Sequence, residues 1–124
     1  MADFRPKVWL NHRCPFCMKF MTFVREAGLW DRFDAVVFEP GTDEHAAVKA
    51  HLEPHFDSVS FPTVETAPGT FMKDSDALIA HYEGVAGVKA DDMPLFQYYV
   101  TGLFLQAVEL HRENMRLKEG AGAH

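Results

Sequence analysis

The chain is expected to fold as an α/β domain: a four-stranded mixed sheet in the order βαβαββα, followed by an extra long C-terminal helix. Three observations predict this. Short apolar runs alternate with patterns of helical period through the first half, the signature of a parallel strand–helix–strand unit. Two further strand patterns flank the turn Ala67-Pro68-Gly69, as in an antiparallel hairpin. A broad apolar helical pattern then extends from Pro94 to about Lys118.

The first strand is expected near Lys7–Leu10, an apolar run that ends at Asn11-His12-Arg13. A helix from about Pro15 to Ala27 follows, because Phe16, Phe20, Phe23, Val24 and Ala27 recur at i, i+4, i+7, i+8 and i+11 and so share one face. Pro15 suits the first turn, where its missing N–H costs nothing. Gly28 and Leu29 read as a C-terminal cap with its hydrophobic contact. The run Ala35–Phe38 lacks polar alternation, as expected of a strand covered on both faces. Thr42 can cap a second helix over Asp43–Leu52, with Asp43 and Glu44 where the helix dipole favours acids and Pro54 beyond its end.

Phe61–Glu65 and Thr70–Lys73 are the hairpin strands, and Asp74-Ser75 caps a short helix, Asp76–Glu83, that Gly84 is expected to end. The segment Gly84–Gly87 reads as a flexible joint. Asp91 or Asp92 can then cap one helix with Pro94 in its first turn, running to about Lys118. Leu95, Phe96, Tyr99, Val100, Leu103, Phe104, Ala107 and Val108 form its apolar face, which Tyr98, Leu105 and Leu110 widen. One helix on a small sheet would not bury all of these. A homodimer through this helix is one expectation, and simple coverage of the sheet is the other. The resulting division is a core at residues 1–84, a linker and helix at 85–118, and a flexible tail at 119–124.

At 124 residues, with 48% hydrophobic residues, the chain is long enough for one domain with its own core. A net charge of −6 leaves no basic surface to bind nucleic acid. The residues Met1 to Pro6 lack the apolar core of a signal peptide, and no apolar run approaches the length of a membrane span. A cytoplasmic chain is therefore expected, with its cysteines reduced at rest.

Those cysteines carry the chemistry. Cys14 and Cys17 are the only two, spaced C-x-x-C between the first strand and the first helix. Cys14 would face unpaired backbone N–H groups and the positive end of the helix dipole, and both favour a thiolate. Arg13, with His12 beside it, is expected to add positive charge next to the sulfur. Cys17 lies three residues on, within reach of a disulfide. Two other readings compete with a redox dithiol. The cysteines could be small buried hydrophobes, or half of a zinc site, for which the histidines would have to supply the remaining ligands. No metal is expected, because only His12 is near in sequence and Pro54 interrupts the His51/His55 pair.

Cys14-Pro15-Phe16-Cys17, then Phe61-Pro62-Thr63-Val64, then Asp74-Ser75-Asp76-Ala77-Leu78 resemble, in order and spacing, the glutaredoxins and the thioredoxin-fold domain of glutathione S-transferases. The resemblance covers Lys7 to Gly84. It implies a thioredoxin-like fold in which Pro62 is a cis proline facing the cysteines and the Phe61 backbone pairs with the cysteinyl part of glutathione. Asp74, Ser75 and Asp76 would hold the γ-glutamyl end, and Arg13 would substitute for the lysine that glutaredoxins commonly place before the first cysteine. The chain departs from the pattern at Phe16, where glutaredoxins usually have tyrosine, and at Met72-Lys73, where they have two glycines. It is also too short for the helical second domain of a transferase.

The function implied is that of a glutathione-dependent thiol–disulfide oxidoreductase, with Cys14 as nucleophile, Cys17 as resolving thiol, glutathione as co-substrate and disulfide-containing proteins as partners. The alternatives are a redoxin driven by thioredoxin reductase, a module that binds glutathione or an iron–sulfur cluster without catalysis, and a partner-binding adaptor.

Overall fold

The computed structural model describes residues 4–122. Strand β1 (Lys7–Asn11) lies inside a four-stranded sheet, between β2 (Asp34–Phe38) and β3 (Thr63–Ala67), and β4 (Thr70–Lys73) completes the order β2-β1-β3-β4. β1 pairs with β2 in parallel, Asn11 opposite Phe38, and with β3 antiparallel, while β3 and β4 form the hairpin. The expected α/β architecture and mixed sheet are therefore present.

Helix α1 (Pro15–Glu26) connects the parallel pair. It ends as its sequence predicts: Gly28 takes a positive φ of 74°, the Leu29 N–H donates to the Val24 carbonyl, and the Gly28 N–H donates to that of Arg25. α2 (Asp43–Leu52) begins with the Thr42 hydroxyl accepting from the His45 N–H. α3 (Ser75–Ala86), α4 (Pro94–Val100) and α5 (Leu103–Gly122) follow the hairpin.

The sheet separates two apolar clusters. On one face Val8, Leu10 and Val64 meet Phe20, Phe23 and Val24 of α1, Leu78, Ile79 and Tyr82 of α3, and Phe96 of α4. On the other, Trp9 and Phe38 meet Val48 and Leu52 of α2. Val8, Trp9 and Leu10 are all buried, as an unalternating strand should be when both faces are covered.

Four sequence expectations need correction. The double-covered strand is β1 rather than β2, which is a sheet edge and leaves Val37 exposed. Helix α3 continues through Gly84 to Ala86, so Gly84–Gly87 is not a flexible joint. A glycine lowers helix propensity without ending a helix, and the left-handed cap is Gly87, at a φ of 68°. The expected single C-terminal helix breaks at Thr101-Gly102. There, any Cβ on Gly102 would sit only 3.1 Å from the Tyr98 carbonyl oxygen, a close approach open to glycine. Finally, the N-cap of α4 is Met93 rather than Asp91 or Asp92. As one helix on a small sheet implies, only Phe96, Phe104 and Val108 of the broad apolar face are buried, while Leu95, Tyr98, Leu103, Leu105 and Leu110 remain exposed. Of the tail expected at 119–124, residues 119–122 continue α5, and residues 123–124 lie outside the described residues. Among the described residues, no helix is long and apolar enough to cross a membrane.

Candidate functional site

β1 delivers the cysteines to the amino end of α1. Cys14 is the N-cap residue, half-buried, with extended backbone at φ −99° and ψ 123°. Cys17, one turn on, is only 3% exposed and lies 3.7 Å from Cys14. Its sulfur accepts a hydrogen bond from the Asn11 N–H at 3.3 Å, so the end of β1 also fixes the second cysteine. The Phe61–Pro62 peptide is cis, Pro62 is buried, and the Phe61 carbonyl oxygen is 3.8 Å from the Cys14 sulfur. Residues 47 apart in sequence thus meet because β3 pairs directly with β1.

The two thiols differ sharply in acidity. Cys14 is lowered from 9.0 to about 6, chiefly because the Cys17 thiol donates a hydrogen bond to its sulfur. Burial opposes this shift, and the backbone N–H groups of Cys17 and Phe16 at the helix start add to it. Cys17 is pushed up by the same hydrogen bond, then by burial and by the negative charge on Cys14. At neutral pH the pair is therefore one exposed-side thiolate backed by one buried thiol. Neither Arg13 nor His12 is a source of the Cys14 shift. Glu39 engages both, accepting from Arg13 Nε at 3.0 Å and lying 2.5 Å from His12 Nδ1, and these partners hold its own carboxyl below the usual range.

A pH profile tests this assignment. The rate of Cys14 alkylation by iodoacetamide is expected to be half-maximal near pH 6, to fall as acid protonates the thiolate, and to level off above about pH 7. In Cys17→Ala the midpoint moves toward the ordinary thiol value of about 8.5, because the largest stabilising contact is gone. A wild-type midpoint near 8.5 would refute the assignment.

The start of α3 borders the site. Asp74 is its N-cap, at a φ of 82°, and its side chain accepts from the Asp76 N–H at 3.2 Å. Ser75 is buried, and the exposed Asp76 carboxylate is paired with Lys19 of α1. Arg13 lies on the opposite flank, against the end of β2. The structure thus gathers Cys14, Cys17, Phe61 and Pro62 closely, links Asp76 to α1 through Lys19 with Asp74 and Ser75 next to it at the start of α3, and holds Arg13 on Glu39.

Three contributors were missed in the sequence. Lys19 is a mostly buried cation whose ammonium lies over the Phe104 ring, 5.0 Å from its centroid, while bridging α1 to Asp76. Its only sequence signal is a charge next to the apolar face of a helix. Glu39 follows directly from the parallel register, since Asn11 opposite Phe38 sets the next residues of both strands side by side. Tyr99, read as part of an apolar face, donates its hydroxyl to the Pro15 carbonyl at 3.0 Å and so ties α4 to the first turn of α1. A tyrosine on such a face needs a partner for its hydroxyl, which was the available signal. Burial, and then the nearby negative charge on Cys14, push its pKa up and make the hydroxyl a weaker acid.

Beside these residues an open groove of about 720 Å³ is lined by Phe16, Lys19, Asp76, Phe104, Val108 and Arg112. Phe16 and Phe104 meet edge to face at 5.6 Å, so α5 forms one wall next to the dithiol helix. Among the described residues, no group of three or more histidine, cysteine, aspartate or glutamate side chains is placed to hold a metal ion. Chemically the arrangement offers a low-pKa nucleophilic sulfur with a second thiol in line behind it.

A scan against protein-family models finds no match to this chain, and a search of curated proteins finds none either.

Proposed function

We propose that this protein is a glutathione-dependent thiol–disulfide oxidoreductase with a thioredoxin-like fold, acting on protein or glutathione mixed disulfides in the cytoplasm. The observation that carries this reading is the asymmetric geometry of the dithiol: Cys14 half-buried as the N-cap of α1, its thiol lowered by the hydrogen bond from Cys17, and Cys17 buried 3.7 Å behind it against the Asn11 N–H. A structural pair of buried cysteines has no need of such an asymmetry. The resemblance of Cys14–Cys17, Phe61–Val64 and Asp74–Leu78 to glutaredoxins supports glutathione as the co-substrate. So does the pairing of Asp76, at the start of α3, with Lys19 of α1.

In the reaction, the Cys14 thiolate attacks one sulfur of a glutathione mixed disulfide, R–S–S–G. A Cys14–glutathione disulfide forms, the S–S bond of the substrate breaks, and the R thiolate leaves and takes up a proton from solvent. A second glutathione thiolate then attacks the glutathione sulfur, releasing oxidised glutathione and restoring the Cys14 thiolate. With a protein disulfide, Cys17 instead attacks the Cys14 sulfur, frees the second protein thiolate and closes the Cys14–Cys17 disulfide, which two glutathiones reduce. Capture of Cys14 also readies Cys17. Both the hydrogen bond and the charge that hold Cys17 protonated vanish once Cys14 is in a disulfide, leaving burial alone to oppose ionisation.

The groove beside Phe16 and Lys19 is where the non-reacting part of the substrate would rest. The test is reduction of a glutathionylated peptide by glutathione, coupled to glutathione reductase and NADPH. Turnover is expected. If the dithiol instead turned over only with thioredoxin reductase, the glutathione assignment would fall, and if it did so with neither reductant the enzymatic reading would fall as well.

A further inference from the structure

Leu103, Leu110 and Leu117 recur at seven-residue intervals on α5 and are 66%, 61% and 66% exposed. Ala107 and Asn114 fall four residues after the first and second of them. This is the alternating 4-3 spacing of a coiled-coil seam, with leucine at each d position and Ala107 and Asn114 at the a positions. At 3.6 residues per turn the seam lies about 120° around the helix from Phe104 and Val108, which are the residues α5 buries against its own fold. Apart from Ala107, which is half-buried, the seam is therefore free while α5 is docked. Beyond Val108 every described side chain through Lys118 is exposed, so nearly three turns of α5 stand clear of the body. Helical stretches that short are marginal in water without a partner.

We propose that the seam pairs with the same seam of a second copy of this chain, as a parallel two-stranded coiled coil that makes the protein a homodimer. The choice of a second copy rests on self-complementarity. Glu113 occupies a g position and Lys118 the e position of the following heptad, and both are exposed. In a parallel, in-register pair each Glu113 faces Lys118 of the other copy, giving two ion pairs. An antiparallel pair would instead set g against g and e against e, like charge on like. Asn114 at an a position meets itself across the two-fold axis. There, its amide can hydrogen-bond its counterpart, which fixes register and favours two strands at a cost in stability. The dimer is isologous and closes on itself. It uses a face of α5 other than the one lining the thiol groove, so it stands whether or not the redox reading does.

The experiment measures solution mass and orientation. At about 100 µM the wild type is expected to sediment at twice the 14.1 kDa chain mass. Leu110→Lys, an exposed position whose change leaves the fold intact by circular dichroism, is expected to be monomeric. Glu113→Lys weakens dimerisation by about tenfold by setting lysine against lysine twice, and Glu113→Lys with Lys118→Glu restores it. In a Cys14→Ser, Cys17→Ser background, mild oxidation of Asn114→Cys yields a disulfide-linked dimer, whereas Arg112→Cys, on the outer face, does not. A monomeric wild type overturns the proposal, as does a dimer that survives Leu110→Lys. Cross-linking at Arg112→Cys but not at Asn114→Cys overturns the parallel seam.

Discussion

Cys14→Ser is expected to lose thiol transfer to glutathionylated substrates by roughly a thousandfold or more, down to the background rate of free glutathione, because the nucleophile itself is gone. A serine hydroxyl cannot ionise near pH 6 and forms no exchangeable S–S bond. Cys17→Ser has a different outcome. It retains reduction of glutathione mixed disulfides, in which a second glutathione does the resolving, and loses reduction of protein disulfides, which need the buried thiol. Its serine can still donate a hydrogen bond to the Cys14 sulfur, so the Cys14 thiolate survives in part, unlike in Cys17→Ala. The measurement is initial rate with two substrates, a glutathionylated peptide and an intramolecular protein disulfide, for both variants. Equal residual activity of the two variants on the first substrate would show that the assigned roles are wrong.

Phe23→Ala is expected to destabilise the fold by about 3–5 kcal/mol, the usual loss when a fully buried phenylalanine leaves a cavity. Phe23 is 0% exposed and sits where α1 meets α4, edge-on to Phe96 with ring centroids 6.1 Å apart. Against a typical total stability of about 5–15 kcal/mol, that loss removes from about a fifth to all of it, and it populates the unfolded state substantially where the wild-type stability lies at the low end of that range. Because α1 carries both cysteines at its other end, activity should fall in step with the folded fraction, while the alkylation midpoint of the molecules still folded stays near pH 6. Denaturant unfolding at constant m-value measures it, with Leu95→Ala, an exposed neighbour of Phe96, as a control within about 0.5 kcal/mol of wild type. A loss below about 1 kcal/mol would mean that the α1–α4 contact is not part of the core.

Local rules made much of this molecule legible. The bounds of α2 follow from Thr42 and Pro54, the end of α1 from Gly28 and Leu29, and the hairpin from Ala67-Pro68-Gly69. In each case the deciding interaction joins residues within a few positions of one another. The errors came where it did not. Val37 reads as core because its neighbours are apolar, but burial of a strand depends on its place in the sheet, and β2 lies at an edge. Thr101-Gly102 interrupts no apolar pattern, yet the helix breaks there, at a glycine whose backbone passes close to the Tyr98 carbonyl, an approach that the apolar periodicity does not report.

The same division holds at the site. From its sequence alone the protein has a C-x-x-C at a strand-to-helix junction and a cysteine at a helix amino end, because capping, dipole and spacing are all local. The tertiary structure alone decided that Cys17 is the buried partner, that Phe61 comes within 3.8 Å of Cys14, and that Glu39 takes up the positive charge of Arg13. It also decided that Lys19 and Tyr99 join α1 to α3 and α4. The physical reason is common to all of these. Hydrogen bonds and charge pairs act over a few ångströms of space, and residues 26 to 84 positions apart reach that range only when strand register and helix packing bring them together.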